Sequence, residues 1–92
     1  MAVLLVTYDL KETAKNYAEL LQAIKASKNW AKLGGSSYLV ETGETPVELR
    51  NRLAKALVAG DKLWVGSAPA PSAWYGLSDT VSDWILNHQK QK

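Results

Sequence analysis

The chain has 92 residues, of which 47% are hydrophobic and 22% charged, and it contains six glycines, three prolines and no cysteine. A chain of this length holds one hydrophobic core, because it buries roughly 60–65% of the surface that its unfolded state exposes. The composition excludes a fibrous repeat or a disordered chain, and the lack of cysteine excludes disulfides and thiolate metal sites. The net charge of +2 indicates no particular partner by itself.

The first apolar run, residues 2–6, is too short for a membrane span or the core of a signal peptide. We therefore expect a cytoplasmic protein without a membrane partner. We also expect residues 1–92 to form a single domain.

The first half of the chain predicts one helix and three strands. Consecutive apolar residues in Ala2–Tyr8 predict a central strand that is covered on both faces. Leu10–Ser27 shows helical spacing of its apolar residues, with Thr13 or Asp9 as the N-cap. Two strands follow on either side of a glycine pair that is typical of a hairpin turn or a bulge: Trp30–Leu33 and Ser36–Thr42.

The second half predicts a helix with clear ends. Thr45 is the predicted N-cap, Pro46 follows at N1, and Glu48 completes a capping box. Gly60 suits the left-handed position after the helix end. The last main strand is Asp61–Ser67, and Ser78 can cap a third, short helix whose apolar stripe is Val81, Trp84, Ile85 and His88.

The order of these elements predicts the fold class. A β-α-β-β-α-β series is typical of the ferredoxin-like split βαβ arrangement. We therefore expect an α+β, ferredoxin-like sandwich with an extra C-terminal helix.

Asp9 is the most suggestive single residue. A carboxylate at the end of an apolar strand, next to a helix N-terminus, can bind Mg²⁺ through oxygen. One Asp needs a second carboxylate, a dimer partner or a substrate phosphate to hold the ion. The residues alone favour the simpler interpretation, in which Asp9 caps or electrostatically stabilises the first helix.

Basic residues occur in two groups without intervening acids. Lys25, Lys28 and Lys32 form the first group, and Trp30 lies among them; Arg50, Arg52 and Lys55 form the second. Cations beside an aromatic ring can bind phosphates while the ring stacks on a base. The alternative is two ordinary solvated helix faces.

Four tryptophans are many for 92 residues. Trp64 alternates within the last main strand, which predicts burial or an interface. Trp74 and Tyr75 lie in the least patterned segment, where exposed aromatics indicate a partner surface and packing back onto the sheet is the alternative. A Ser-His-Asp triad is not indicated, because the single histidine, His88, lies near a helix C-terminus.

Three segments together resemble one family. Leu4–Leu10 (LLVTYDL), Ser37–Glu41 (SYLVE) and Asp61–Val65 (DKLWV) resemble, in order, the opening strand, second motif and last core strand of the small CRISPR-associated adaptation protein. Trp30 and Trp84 make the chain most similar to the short SinR-like bacterial branch of that superfamily, and the VapD ribonucleases look like a further relative.

This resemblance implies a homodimer with a ferredoxin-like fold, in which Asp9 lies near the twofold axis and two copies share a metal ion. The expected function is therefore that of a homodimeric nucleic-acid-associated protein, in which the residues that bind DNA or RNA phosphates are Lys25, Lys28, Lys32, Arg50 and Arg52. One alternative is a Mg²⁺-dependent nuclease that uses paired Asp9 side chains. The other is a protein-interaction module that binds no nucleic acid and uses Trp74, Tyr75 and the helix that contains Trp84 as its contact surface.

Overall fold

The computed structural model describes residues 1–11 and 13–89, and of residues 13–16 the backbone alone. The elements are strands β1 (Ala2–Asp9), β2 (Asn29–Gly34), β3 (Ser37–Thr42) and β4 (Lys62–Ser67), and helices α1 (Thr13–Lys25), α2 (Pro46–Ala54) and α3 (Asp79–His88). Within these ranges, no helix combines the length and the apolar character that crossing a membrane requires.

The four strands form one antiparallel sheet in the order β2-β3-β1-β4. The protein is therefore of the predicted α+β class. β1 is a central strand, as predicted: Leu4 lies opposite Val40 of β3, and Thr7 lies opposite Trp64 of β4.

Side chains of β1 point alternately to the two faces of the sheet, and each face has its own hydrophobic core. Leu4, Val6 and Tyr8 pack beneath α1 and α2, whose buried residues are Leu20, Ile24, Leu49 and Leu53. Val3 and Leu5 face the opposite side, where they pack with Leu39, Ile85 of α3 and Trp84. The extra C-terminal helix therefore covers the face of the sheet that α1 and α2 leave open.

Local signals place most element ends correctly. β2 and β3 form a hairpin with a bulge between Lys32 and Gly34, so the glycine pair marks both a bulge and a turn. Thr45 and Glu48 form the predicted capping box at the start of α2, with Glu48 N–H donating to Thr45 Oγ1 over 3.1 Å. Ser78 caps α3 in the same way, accepting from the Val81 N–H.

Three predictions about helix ends are wrong. α1 begins at Thr13 rather than Leu10, so Asp9 ends β1 and is too far from the helix to be its cap. The Thr13 side chain, the other candidate cap, lies outside the described residues. α2 ends at Ala54, and Gly60, with φ of +96°, lies in the turn before β4. In that turn the Asp61 carboxylate accepts from the Val58 N–H and from the Lys11 N–H, which bends the chain back towards β1.

Tyr8 carries a buried polar group. Among the residues that the structure describes, its hydroxyl has no hydrogen-bond partner, and the Tyr17 phenol lies nearby, with ring centroids 6.3 Å apart. Burial raises the pKa of Tyr8 above its ordinary value of 10, and the neighbouring Tyr17 adds to this effect. Burial also raises the pKa of Tyr38.

We predict that Tyr8→Phe raises the free energy of unfolding at neutral pH by about 1 kcal/mol, because it removes an unsatisfied buried hydroxyl. The stability that depends on a neutral Tyr8 is fully present below pH about 10 and is lost as pH rises towards the raised pKa of the folded state. Tyr8→Phe should therefore weaken the alkaline loss of stability, as measured by urea unfolding between neutral and alkaline pH. Tyr75→Phe is the control, because Tyr75 is fully exposed. Equal alkaline profiles for the two variants would contradict this account.

Candidate nucleic-acid interface

The first basic group lies at the β2 edge of the sheet. α1 ends at Lys25, the chain turns through Lys28, and β2 starts at Asn29. This short connection folds Lys25 back over Trp30, so that its ammonium nitrogen lies 4.7 Å from the centroid of the indole ring. A cation at this distance from an aromatic face is attracted by the ring. We call Lys25, Lys28, Trp30 and Lys32 the basic edge.

Trp30 packs beside a side chain of the adjacent strand β3. It is 40% exposed, and its ring centroid lies 6.0 Å from that of the buried Tyr38, at an interplanar angle of 58°. Lys32 is exposed two residues further along β2 and therefore lies on the same face. The basic edge thus combines three exposed lysines with one half-exposed indole.

The nearest strand carboxylate points away from the basic edge. Within β2 and β3 the acidic residue is Glu41, which lies on the opposite face of the sheet. There its Oε1 accepts a 2.7 Å hydrogen bond from Asn29 Nδ2. The positive charge of the basic edge is therefore not neutralised by a carboxylate from β2 or β3.

The donor groups of Arg52 bind other parts of the protein and are not available to a ligand. Its Nε donates to Glu44 Oε2 over 2.8 Å, one terminal nitrogen donates to the Ala23 carbonyl, and the other donates to Ser27 Oγ over 3.0 Å. The guanidinium thus ties α2 to the C-terminal end of α1. The same hydrogen bond from Arg52 lowers the pKa of Glu44 below its ordinary value.

Arg50 lies apart from the basic edge. Its guanidinium donates to Asn51 Oδ1, and its side chain borders a surface pocket of about 220 Å³ together with Val47 and Trp64. α2 packs over β4 while α1 packs near β2, so Arg50 is at the opposite edge of the sheet. The two basic groups of the sequence therefore do not form one surface within a single chain.

Asp9 is exposed at the end of β1, opposite Lys62 of β4. It borders a shallow pocket of about 200 Å³ with Thr7, Trp64 and Lys62. Within residues 1–11 and 13–89, no three acidic or histidine side chains come together to hold a metal ion. A Mg²⁺ site at Asp9 would therefore need ligands from outside the described part of this chain.

Trp74 and Tyr75 lie at the mouth of an apolar cavity of about 410 Å³ between the sheet and α3. Trp74 is 37% exposed and its indole N–H donates to Ser82 Oγ over 3.0 Å, whereas Tyr75 is fully exposed. Trp74 therefore packs back against α3, and Tyr75 alone projects into solvent. Leu5, Leu39 and Ile85 line the base of this cavity.

Sequence reasoning missed a polar contact at the end of α3. The His88 ring stacks on Trp84 with centroids 4.2 Å apart, and its Nε2 lies 4.0 Å from Glu41 Oε1. His88 Nδ1 also donates to the Trp84 carbonyl over 2.7 Å. This contact joins the C-terminal turn of α3 to β3 and had no local signal, because Glu41 and His88 are far apart in sequence.

Searches of protein-family models, curated proteins and solved structures returned no match to this chain.

We predict that Arg52→Met lowers the free energy of unfolding at pH 7 by about 1–2 kcal/mol, because Glu44 loses the guanidinium and keeps the Thr42 hydroxyl as a donor, and the Ala23 carbonyl loses its charged donor. The loss stays modest since the two charged side chains are still 30% and 28% exposed. The contribution of Glu44 is present above its unfolded pKa of about 4.3 and is lost as pH falls through its lowered folded pKa. The variant should therefore lose less stability on acidification.

Chemical unfolding at pH 7 and at acidic pH tests this prediction. Arg50→Met is the matched control, because Arg50 is exposed on the same helix and bonds to its neighbour Asn51. It should change the free energy of unfolding by less than about 0.5 kcal/mol. Equal losses in the two variants would show that the Arg52 contacts do not stabilise the fold.

Proposed function

We propose that this chain is a homodimeric nucleic-acid-binding protein whose binding surface is the basic edge. The observation that carries the proposal is the half-exposed Trp30 indole with the Lys25 ammonium against its face and Lys32 beside it. Lysines attract the phosphates of DNA or RNA, and an exposed indole offers a stacking surface to an unpaired base. The resemblance of residues 4–10, 37–41 and 61–65 to the CRISPR adaptation-protein superfamily supports the same class of partner.

We also propose that the fold is ferredoxin-like. Counted from the β4 end, the strand order is 4-1-3-2 with antiparallel neighbours, and the two crossover helices lie on one face. These features support a split βαβ arrangement. α3 is then an addition that covers the second face of the sheet.

The basic edge is suited to binding without sequence readout. Its lysines lie on exposed chain at the end of α1 and along β2, so a phosphate backbone can approach them without opening the fold. Arg52 is not part of the proposed binding surface, because its donors already serve Glu44, Ala23 and Ser27. Arg50 would contact nucleic acid only at a separate site near β4.

The test is a pair of charge reversals with the same change in net charge. Lys28→Glu with Lys32→Glu should reduce affinity for labelled DNA or RNA at least about tenfold and should lower the slope of log affinity against log salt by about two. Arg50→Glu on α2 combined with Lys55→Glu at its C-cap should reduce affinity much less. Equal losses for the two pairs would contradict a site at the basic edge, and no affinity of the wild-type chain for DNA or RNA at moderate salt would favour the protein-interaction alternative.

A substitution of Asp9 distinguishes binding of nucleic acid from metal-dependent cleavage. We expect Asp9→Asn to leave affinity for DNA and RNA unchanged, because Asp9 lies at the end of β1 and away from the basic edge. The measurement is binding and cleavage of labelled DNA and RNA with Mg²⁺, Mn²⁺ and EDTA. Metal-dependent cleavage that disappears in Asp9→Asn would establish the nuclease alternative instead.

A further inference from the structure

We propose that two copies of this chain pair through the outer edges of their β4 strands, antiparallel about a twofold axis, to form one eight-stranded sheet. This proposal rests on the homodimer of the proposed function and names its interface. It is independent of whether the ligand is DNA or RNA.

The outer edge of β4 presents unpaired backbone groups. The Ala68 N–H donates to the Val3 carbonyl over 2.9 Å, so the Val3–Ala68 pair is a hydrogen-bonded pair of the antiparallel ladder. Such pairs alternate along the ladder, so Gly66, Trp64 and Lys62 also direct their backbone groups towards β1. The N–H and C=O groups of Leu63, Val65 and Ser67 therefore point outwards, where no strand within the described residues pairs with them.

The two edges of the sheet are protected differently. The β2 edge has a bulge between Lys32 and Gly34 and an exposed lysine within the strand. Bulges and lysines of this kind discourage pairing between sheet edges. The sequence of β4 is KLWVGS, and its one charged residue is Lys62 at the first position. β4 pairs with β1 in regular register. β4 is therefore the edge that remains open to another strand.

The side chains around β4 are also unusually apolar for an exposed surface. Trp64 is 56% exposed, and Val47 of α2, which borders the same pocket, is 56% exposed as well. The Trp64 ring lies across Gly66, because a Cβ at Gly66 would come within 2.3 Å of it. An exposed indole on an unpaired strand is an arrangement that a partner strand would cover.

The edge is complementary to itself. Around a twofold axis normal to the sheet, opposing residues lie on the same face, and centring the pair on Val65 places Leu63 opposite Ser67 of the partner copy. The outward groups of these residues then form about six hydrogen bonds. Trp64 lies opposite Gly66, so a large side chain meets a small one twice, and Lys62 opposes Ala68 rather than another charge.

This interface excludes a metal ion shared by two Asp9 side chains. Asp9 lies on β1, one strand inside the edge. Three strand spacings of about 4.8 Å separate the two β1 strands, which places them about 14 Å apart. A single Mg²⁺ holds its ligands at about 2.1 Å, so the two carboxylates cannot share it.

The test measures the mass of the full chain in solution across a concentration series, without nucleic acid, by light scattering and sedimentation. The wild type should form a species of twice 10.1 kDa. Trp64→Lys should make the chain monomeric by placing a charge at the edge. Ser67→Pro should do the same, since it removes an outward N–H that the monomer does not use. Trp30→Lys is the matched control, because it changes an exposed tryptophan on the other edge, and it should remain dimeric.

A second measurement does not depend on any variant. Amide hydrogen exchange of the wild type should show Leu63, Val65 and Ser67 protected at high concentration and exposed on dilution, because only the dimer pairs them. A wild-type monomer at every concentration, or a dimer that survives both Trp64→Lys and Ser67→Pro, would overturn the proposal. A monomer whose β4 amides become protected only with an added protein would assign the edge to a foreign strand instead.

The outcomes separate this proposal from the proposed function. A monomeric wild type that binds DNA or RNA through the basic edge would refute the β4 interface alone. A β4-paired dimer without affinity for either nucleic acid would refute the binding function alone.

Discussion

The requirement that β1 be covered on both faces determines the architecture. Its consecutive apolar residues point alternately to the two sides of the sheet, so one layer of helices cannot bury them all. Leu4 and Val6 are buried under α1 and α2, and Val3 is buried against α3. A second layer of helix, formed by α3, is therefore needed to bury the residues on the other face of β1. Ile85 is the buried residue of α3.

α3 covers only part of one face of the sheet, and the rest of that face stays open to solvent. It packs over Val3, Leu5 and Leu39, and the Asp9 end of β1 lies beyond the residues of this second core. Thr7, Asp9 and Trp64 consequently border an open surface pocket, although they lie on the same face as α3. On the opposite face, α1 contacts β2 and α2 contacts β4, which separates the basic edge from Arg50.

Local physical signals could be predicted from the sequence, and long-range pairing could not. The element order, the capping box at Thr45 and the bulge beside Gly34 each depend on a few neighbouring residues. Arg50 and Arg52 look equivalent in sequence, but two residues turn a helix by more than half a revolution, so one lies beside β4 and the other reaches Glu44 and α1. The exposure of Trp64 depends on β4 being an edge, which strand alternation does not reveal.

The two edges of the sheet have different properties, and this difference links the proposed interface to the proposed function. In a dimer paired through β4, the basic edges occupy the first and last of eight strands, seven spacings or about 34 Å apart before twist is considered. That separation is close to one turn of B-form DNA. Three lysines and one indole form a small site, and two such sites on one dimer would bind a nucleic acid long enough to reach both more tightly than either site binds it alone. If both proposals hold, pairing at the β4 edge would thus increase binding at the basic edge without any new contact to the ligand.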